Sequence, residues 1–184
     1  MIGRLESADS PRDISHFLAM RDYAPADAHA VSGLLVSAFT QTYARKLLDV
    51  RTDADRVLEL IDASARHNCG AVRILELGHE VIGTYSLVRP GTSENQAWHE
   101  DAASLRCLAL DAKLHGLGLS STLLADAIAL AGRWSVPRIC LHVQHGADGV
   151  ARLYTRAGFE RDRAGDTISC GNRIEGYTLT MSPR

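Results

Sequence analysis

The stretch from Ser104 to Gln144 constrains the fold more than any other part of the chain. It reads as an apolar run, SLRCLALDA, a glycine-bearing loop, KLHGLG, a long helical pattern, and a second apolar run, PRICLHVQ. Near-continuous apolar runs of this kind belong to strands covered on both faces. Leu119, Leu123, Ala127, Ala131 and Trp134 recur at helical spacing, and Leu124 and Ile128 broaden the stripe. Strand, helix and strand in this order form one crossover. The strands near 105–111 and 138–144 are therefore expected to be parallel neighbours.

The rest of the chain supplies elements around that unit. HFLAMRDY reads as a strand, and PADAHAVSGLLVSAF as a helix behind Pro25. DADRVLELIDASARH reads as a second helix opened by Asp53, with Gly70 closing it. AVRILEL and EVIGTYSLV, joined by Gly78 and His79, have the spacing of an antiparallel hairpin. Residues 89–102 are polar and carry Gly and Pro, so a loop is expected. Asp148 is placed to cap a short helix, GVARLYTRA, which Gly158 ends. The tail from GFERD to EGYTLTM reads as two further strands. The expected order is a strand, two helices, a meander, then β-α-β-α-β-β.

With 184 residues against about 150 per domain, one domain over 1–184 is expected, residues 1–15 forming a loose polar arm. A net charge of −2 gives no overall positive field for nucleic acid or an anionic membrane. No apolar run approaches the ~18 residues of a spanning helix, and the start lacks a signal-peptide core, so a cytoplasmic protein is expected. Cys69, Cys107, Cys140 and Cys170 are scattered without a CxxC and are read as reduced, with Cys107 and Cys140 buried in strands. His142 and His145 fall three apart on a strand and point to opposite faces, so no metal site is expected.

Gly116 and Gly118 stand between a buried strand and the first turn of a helix, where unpartnered N–H groups and the helix dipole favour negative charge. Glycines there let an anion approach the backbone, and Lys113 and His115 stand beside it; an ordinary strand-to-helix turn is the alternative. A P-loop would need GxxxxGK[ST], which does not occur. A Rossmann fingerprint would need a third glycine where Ser121 stands.

KLHGLG after LRCLALD resembles the acyl-CoA signature of the GNAT superfamily, [QR]xxGx[GA], with Lys113 at the basic or amide position. RLYTRAGFE resembles that family's LYxxxGF segment. The resemblance runs from about residue 16 to 182. It departs where members often carry Asn and this chain has Ala147, which bears on one contact near the cofactor. It implies an α/β (α+β) fold: a mixed, mostly antiparallel sheet of about six to seven strands, splayed between the fourth and fifth strands, flanked by about four helices.

The same resemblance implies an acetyl-CoA-dependent N-acetyltransferase in which a primary amine attacks directly through a tetrahedral intermediate, with no metal. The amides of His115, Gly116, Leu117, Gly118, Leu119 and Ser120, with the hydroxyls of Ser120 and Ser121, would hold the pyrophosphate of coenzyme A. Pantetheine would lie along Leu108, Ala109 and Leu110, and a strand N–H around Leu108 would stabilise the oxyanion. Tyr154 would protonate the departing thiolate.

An amine of pKa about 10.4 needs roughly 4 kcal/mol to deprotonate at pH 7.4, whereas a thiolate of pKa about 8.5 lies within ~1.5 kcal/mol of neutrality, so the base matters more than the acid. Glu100, beside His99 and Asp101 before the strand, is the first candidate and His142 the second. Glu100 also fits a solvated loop, and His142 a core position. Acceptor selection would fall to Gln41, Thr42, Tyr43 and the Glu94–Glu100 stretch with Trp98, on a small-molecule or peptide amine. Arg152 and Arg156 would meet the cofactor's 3′-phosphate or face water. A homodimer joined through terminal strands is common in similar folds. The alternative of another class is a non-catalytic acyl-CoA-binding regulatory module.

Overall fold

The computed structural model describes residues 17–42, 54–169 and 171–182. The arm over 1–15, Tyr43, Asp53 and Cys170 lie outside the described residues, as do the side chains of Gln41 and Thr42. The elements begin with β1 (Leu18–Asp22) and α1 (Ala28–Val36), which a π-helical segment extends over Ser37–Thr42. Next come α2 (Ala54–Ile61), α3 (Ala63–Asn68), β2 (Gly70–Leu77), β3 (Glu80–Val88) and β4 (Ala102–Leu110). The remaining elements are α4 (Leu119–Arg133), β5 (Arg138–Gln144), α5 (Asp148–Arg156), β6 (Glu160–Arg161), β7 (Thr167–Ser169) and β8 (Asn172–Thr180).

All eight strands join one sheet in the order β1-β2-β3-β4-β5-β8-β6, with β7 on β8. The β4–β5 pair is parallel, as the crossover requires, and every other pair is antiparallel. The hairpin closes with Leu77 opposite Glu80 and Gly78 at φ +65°. Two features extend the expected count of strands: β6 and β7 hold two and three residues, too short to leave a periodic pattern in the sequence.

The helices cover both faces, which explains the apolar strands. Val72 and Ile74 of β2 pack under α1 and α2 with Val31, Leu35 and Leu60. Ala71 and Leu75 turn to the other face and meet Leu119, Leu123, Leu124 and Ala127 of α4. On β4 the alternation breaks. Ala103 and Leu105 face α4, yet Cys107 and Ala109, still odd-numbered, belong to the opposite core. One extra residue reverses the facing of every side chain after it, and the register shows it: Cys107 and Leu108 together oppose Tyr85. Cys107 takes φ +54°, a conformation that costs a non-glycine residue about 1–2 kcal/mol and that its neighbours must hold in place.

Two local expectations are corrected. The second helix is not continuous: Asp62 leaves helical geometry at φ −83° and ψ 66°, and its side chain accepts the Ala65 N–H at 2.9 Å, so it caps a new helix inside the apolar periodicity. Asp148 does not cap α5. Ala147 is the N-cap and Asp148 is the first helical residue, where its charge still suits the dipole.

Candidate active site

The parallel pairing of β4 and β5 is short, running from Ala102–Leu105 against Arg138–Leu141. From Arg106 onward β4 follows β3 to Leu110, while β5 follows β8 to Gln144. The bulge at Cys107 re-aims β4 at the point of parting. Between the diverging strands lies a cleft of about 1150 Å³, which α4 and α5 close on one side.

At one end of the cleft the chain leaves β4 and turns into α4. The Asp111 side chain accepts the Lys113 N–H at 2.9 Å, and the His115 ring donates from Nε2 to the Leu110 carbonyl at 3.3 Å. Gly116 and Gly118 sit at φ +87° and +80°, so the backbone itself demands glycine there. A Cβ at either position would meet nothing within 4 Å, so that side of the turn is open. Gly118 is the N-cap of α4, and its carbonyl accepts the Ser121 and Thr122 N–H groups. His115, Gly116, Gly118, Leu119, Ser120 and Ser121 line the cleft together with Leu108, Ala109 and Leu110. Lys113 and Leu117 are exposed and outside its lining.

Tyr154 lies on the cleft wall, 7% exposed, its ring edge-on to Phe159 at 5.7 Å. Ala147, Arg152 and Arg156 line the same wall. His142 is the first residue of β5 beyond its last pairing with β4, and it also lines the cleft. Its Nε2 lies 2.9 Å from the Gly165 carbonyl, which can only accept, so Nε2 carries the proton and Nδ1 holds the lone pair in the neutral ring. Burial lowers its pKa below 6.5, opposed by the Gly165 carbonyl and assisted by Arg106, so the ring is neutral at pH 7. Glu100 occupies an exposed turn and is not part of the cleft lining.

Two groups near the vertex carried no sequence signature. Arg106 of β4 is 8% exposed and lines the cleft, held by Glu59 of α2 and by the Glu94 carboxylate at 3.0 Å. Asp162 gathers three donors from two distant segments: the Trp98 Nε1 at 2.8 Å and the His99 Nε2 at 2.9 Å from the β3–β4 connection, and the Thr178 hydroxyl at 2.9 Å from β8. Those hydrogen bonds, Trp98 first, hold its carboxyl well below the usual range against the opposing effect of burial. The available signal was indirect: Gly176 stands mid-strand in β8, where glycine marks a close backbone approach. A Cβ there would come within 2.6 Å of the Asp162 carbonyl.

A mixed sheet, bulged at β4 and opened between two parallel strands over a left-handed glycine turn, defines the GNAT architecture. The chain belongs to the acetyltransferase (GNAT) family, whose model matches residues 29–159. No curated protein matches the sequence. Among solved structures, an acetyltransferase of the GNAT family from Staphylococcus aureus Mu50 superposes with a TM-score of 0.71 at 14% identity, over 90% of this chain and 99% of that one. A Salmonella typhimurium structure determined with its cofactor acetyl-CoA gives 0.66 at 18% identity, over 91% and 96%. The ribosomal-protein-S18-alanine N-acetyltransferase from Escherichia coli gives 0.65 at 15% identity, over 91% and 96%. At these identities the likeness is one of fold. No helix among the described residues is long and apolar enough to cross a membrane, and no cluster of His, Cys, Asp and Glu among them could hold a metal.

Proposed function

We propose that this protein transfers an acetyl group from acetyl-CoA to a primary amine, with His142 as general base and Tyr154 as general acid. The parting of β4 from β5 over the Gly116–Gly118 turn carries the reading. The residues present suit a thioester bearing a diphosphate. The open side of the glycine turn and the N-terminus of a 15-residue helix favour an anion, and the cleft beyond them is lined by the Leu108–Leu110 segment of β4 and by apolar side chains such as Leu124 and Ile128, interspersed with polar ones. Acetyl-CoA supplies an activated acyl group and a thiol that leaves.

The chain's own groups account for the remaining demands. The backbone around Leu108, next to the bulge and without a β5 partner, offers an N–H to the negative charge growing on the acyl oxygen. Nδ1 of the neutral His142 accepts the ammonium proton, the larger of the two proton tasks, and Tyr154 donates to the leaving sulfur. His142 is preferred to Glu100 because it lines the cleft at the vertex of the splay. Arg106, at the same vertex, is paired with two carboxylates, Glu59 and Glu94, which offset its charge beside His142.

Titration calorimetry with acetyl-CoA, followed by thiol release across a panel of small amines and peptide N-termini, tests the proposal. Micromolar binding and amine-dependent release are expected. Absence of binding below millimolar concentration refutes it, and binding without turnover on any amine selects the regulatory module.

A further inference from the structure

His142 is bracketed by two elements from distant parts of the chain. On one side stands Trp98, from the connection between β3 and β4, with its ring centroid 5.1 Å from the imidazole and the planes tilted by 49°. On the other is the Gly165 carbonyl, from the 3₁₀ turn Arg163–Gly165, which takes the Nε2 proton. The two also touch each other. A Cβ on Gly165 would fall 2.6 Å from three atoms of the Trp98 ring, so only glycine lets the indole and the turn close together over the histidine. Below them Gly176 sits opposite His142 in the β5–β8 register, and its missing side chain lets the turn lie flat on the sheet.

One carboxylate holds both elements. Asp162 Oδ2 accepts the Trp98 indole N–H, the His99 ring and the Thr178 hydroxyl, while Oδ1 accepts the Ala164 N–H at 3.1 Å and so caps the turn that presents Gly165. Four donors on one carboxylate, drawn from the β3–β4 connection, the turn and β8, give far more definition than surface loops ordinarily have. An amide in its place would bring an N–H where a lone pair is needed. We propose that Asp162 is a positioning residue for His142, fixing through Trp98 and the capped turn both the ring's tautomer and its shelter from water. This rests on the reading of His142 as base.

Release of Trp98 would admit water to the imidazole and move the pKa of His142 up toward 6.5, its ordinary value. The charged or titratable groups around the ring are Arg106 from β4 and Asp166 from the segment before β7, with Asp162 and His99 behind Trp98; of these only Asp162 is altered in the test.

The experiment measures kcat and its pH profile in the full-length protein, with acetyl-CoA affinity by calorimetry as reference. For Asp162→Asn we expect kcat to fall by about tenfold to a hundredfold, as small misplacements of a reacting group do. The acid limb should move to higher pH while the acetyl-CoA Kd stays unchanged. Trp98→Ala should reproduce the limb shift with Asp162 intact, and it decides the matter if Asp162→Asn does not fold. Trp98→Phe, which keeps a ring over His142 but has no N–H for Asp162, should also move the limb, by less than Trp98→Ala does. If His142→Gln removes the acid limb but neither Asp162→Asn nor Trp98→Ala moves it, the positioning role is overturned and the base survives. If His142→Gln leaves kcat and its profile unchanged, the base reading itself falls, and the role of Asp162 with it.

Discussion

Three glycine-to-alanine substitutions separate backbone conformation from crowding. Gly33, Gly91 and Gly118 all have open space where a Cβ would stand, so none of the three creates a clash. Gly33 lies inside α1 with helical geometry, and alanine there should add about 0.5–1 kcal/mol. Gly91, at φ +73° in the β3–β4 connection, and Gly118, at φ +80° in the glycine turn, should each lose about 1–2 kcal/mol to left-handed strain. For a chain of 150–250 residues, about 2–4 °C accompanies each kcal/mol. Thermal melts should therefore rise by about 1–4 °C for Gly33→Ala and fall by about 2–8 °C for the other two. Only Gly118 lines the cleft. Gly118→Ala should also weaken acetyl-CoA binding by about 5–30-fold, or about 1–2 kcal/mol, because its methyl would stand on the open side of the turn where the anion approaches. Gly91→Ala should leave the Kd unchanged. Equal Kd values for the two variants would refute the assignment of the turn as the anion site. A stable Gly118→Ala would refute the strain argument.

Further outcomes follow from the same geometry. His142→Gln should lower kcat by about 10²–10⁴-fold and abolish its acid limb, which in the wild type falls below pH 6.5 because burial depresses the pKa; rate is lost as pH drops through that value and the ring takes a proton. Tyr154→Phe should lower kcat with little change in acetyl-CoA affinity, measured by thiol release; an unchanged kcat would remove it as the acid. Leu123→Ala, fully buried on α4 against β3, should cost about 3–5 kcal/mol in urea unfolding through the cavity it leaves.

The sequence by itself determined the crossover and much of its surroundings, because those signals are local. Apolar runs covered on both faces mark β4 and β5, the Leu119–Leu123–Ala127 stripe marks α4, and glycines at fixed offsets mark the turn between them. The Gly78–His79 hairpin and the Tyr154 segment were legible for the same reason. Tertiary structure alone decided what depends on pairing across distance. The bulge is invisible in SLRCLALDA, since alternation reads the same until a partner strand sets the register and one residue is found to be extra. Asp62 looked like a polar position within a continuous periodicity until its side chain turned back to cap α3. Glu100 and His142 could not be separated by spacing; the vertex of the splay falls at His142, while the turn holding Glu100 faces water. Asp162 was the least legible, because the donors that converge on it come from residues 98, 99, 164 and 178. A hydrogen-bonding carboxylate leaves no periodic trace in a sequence; only folding brings its partners within reach.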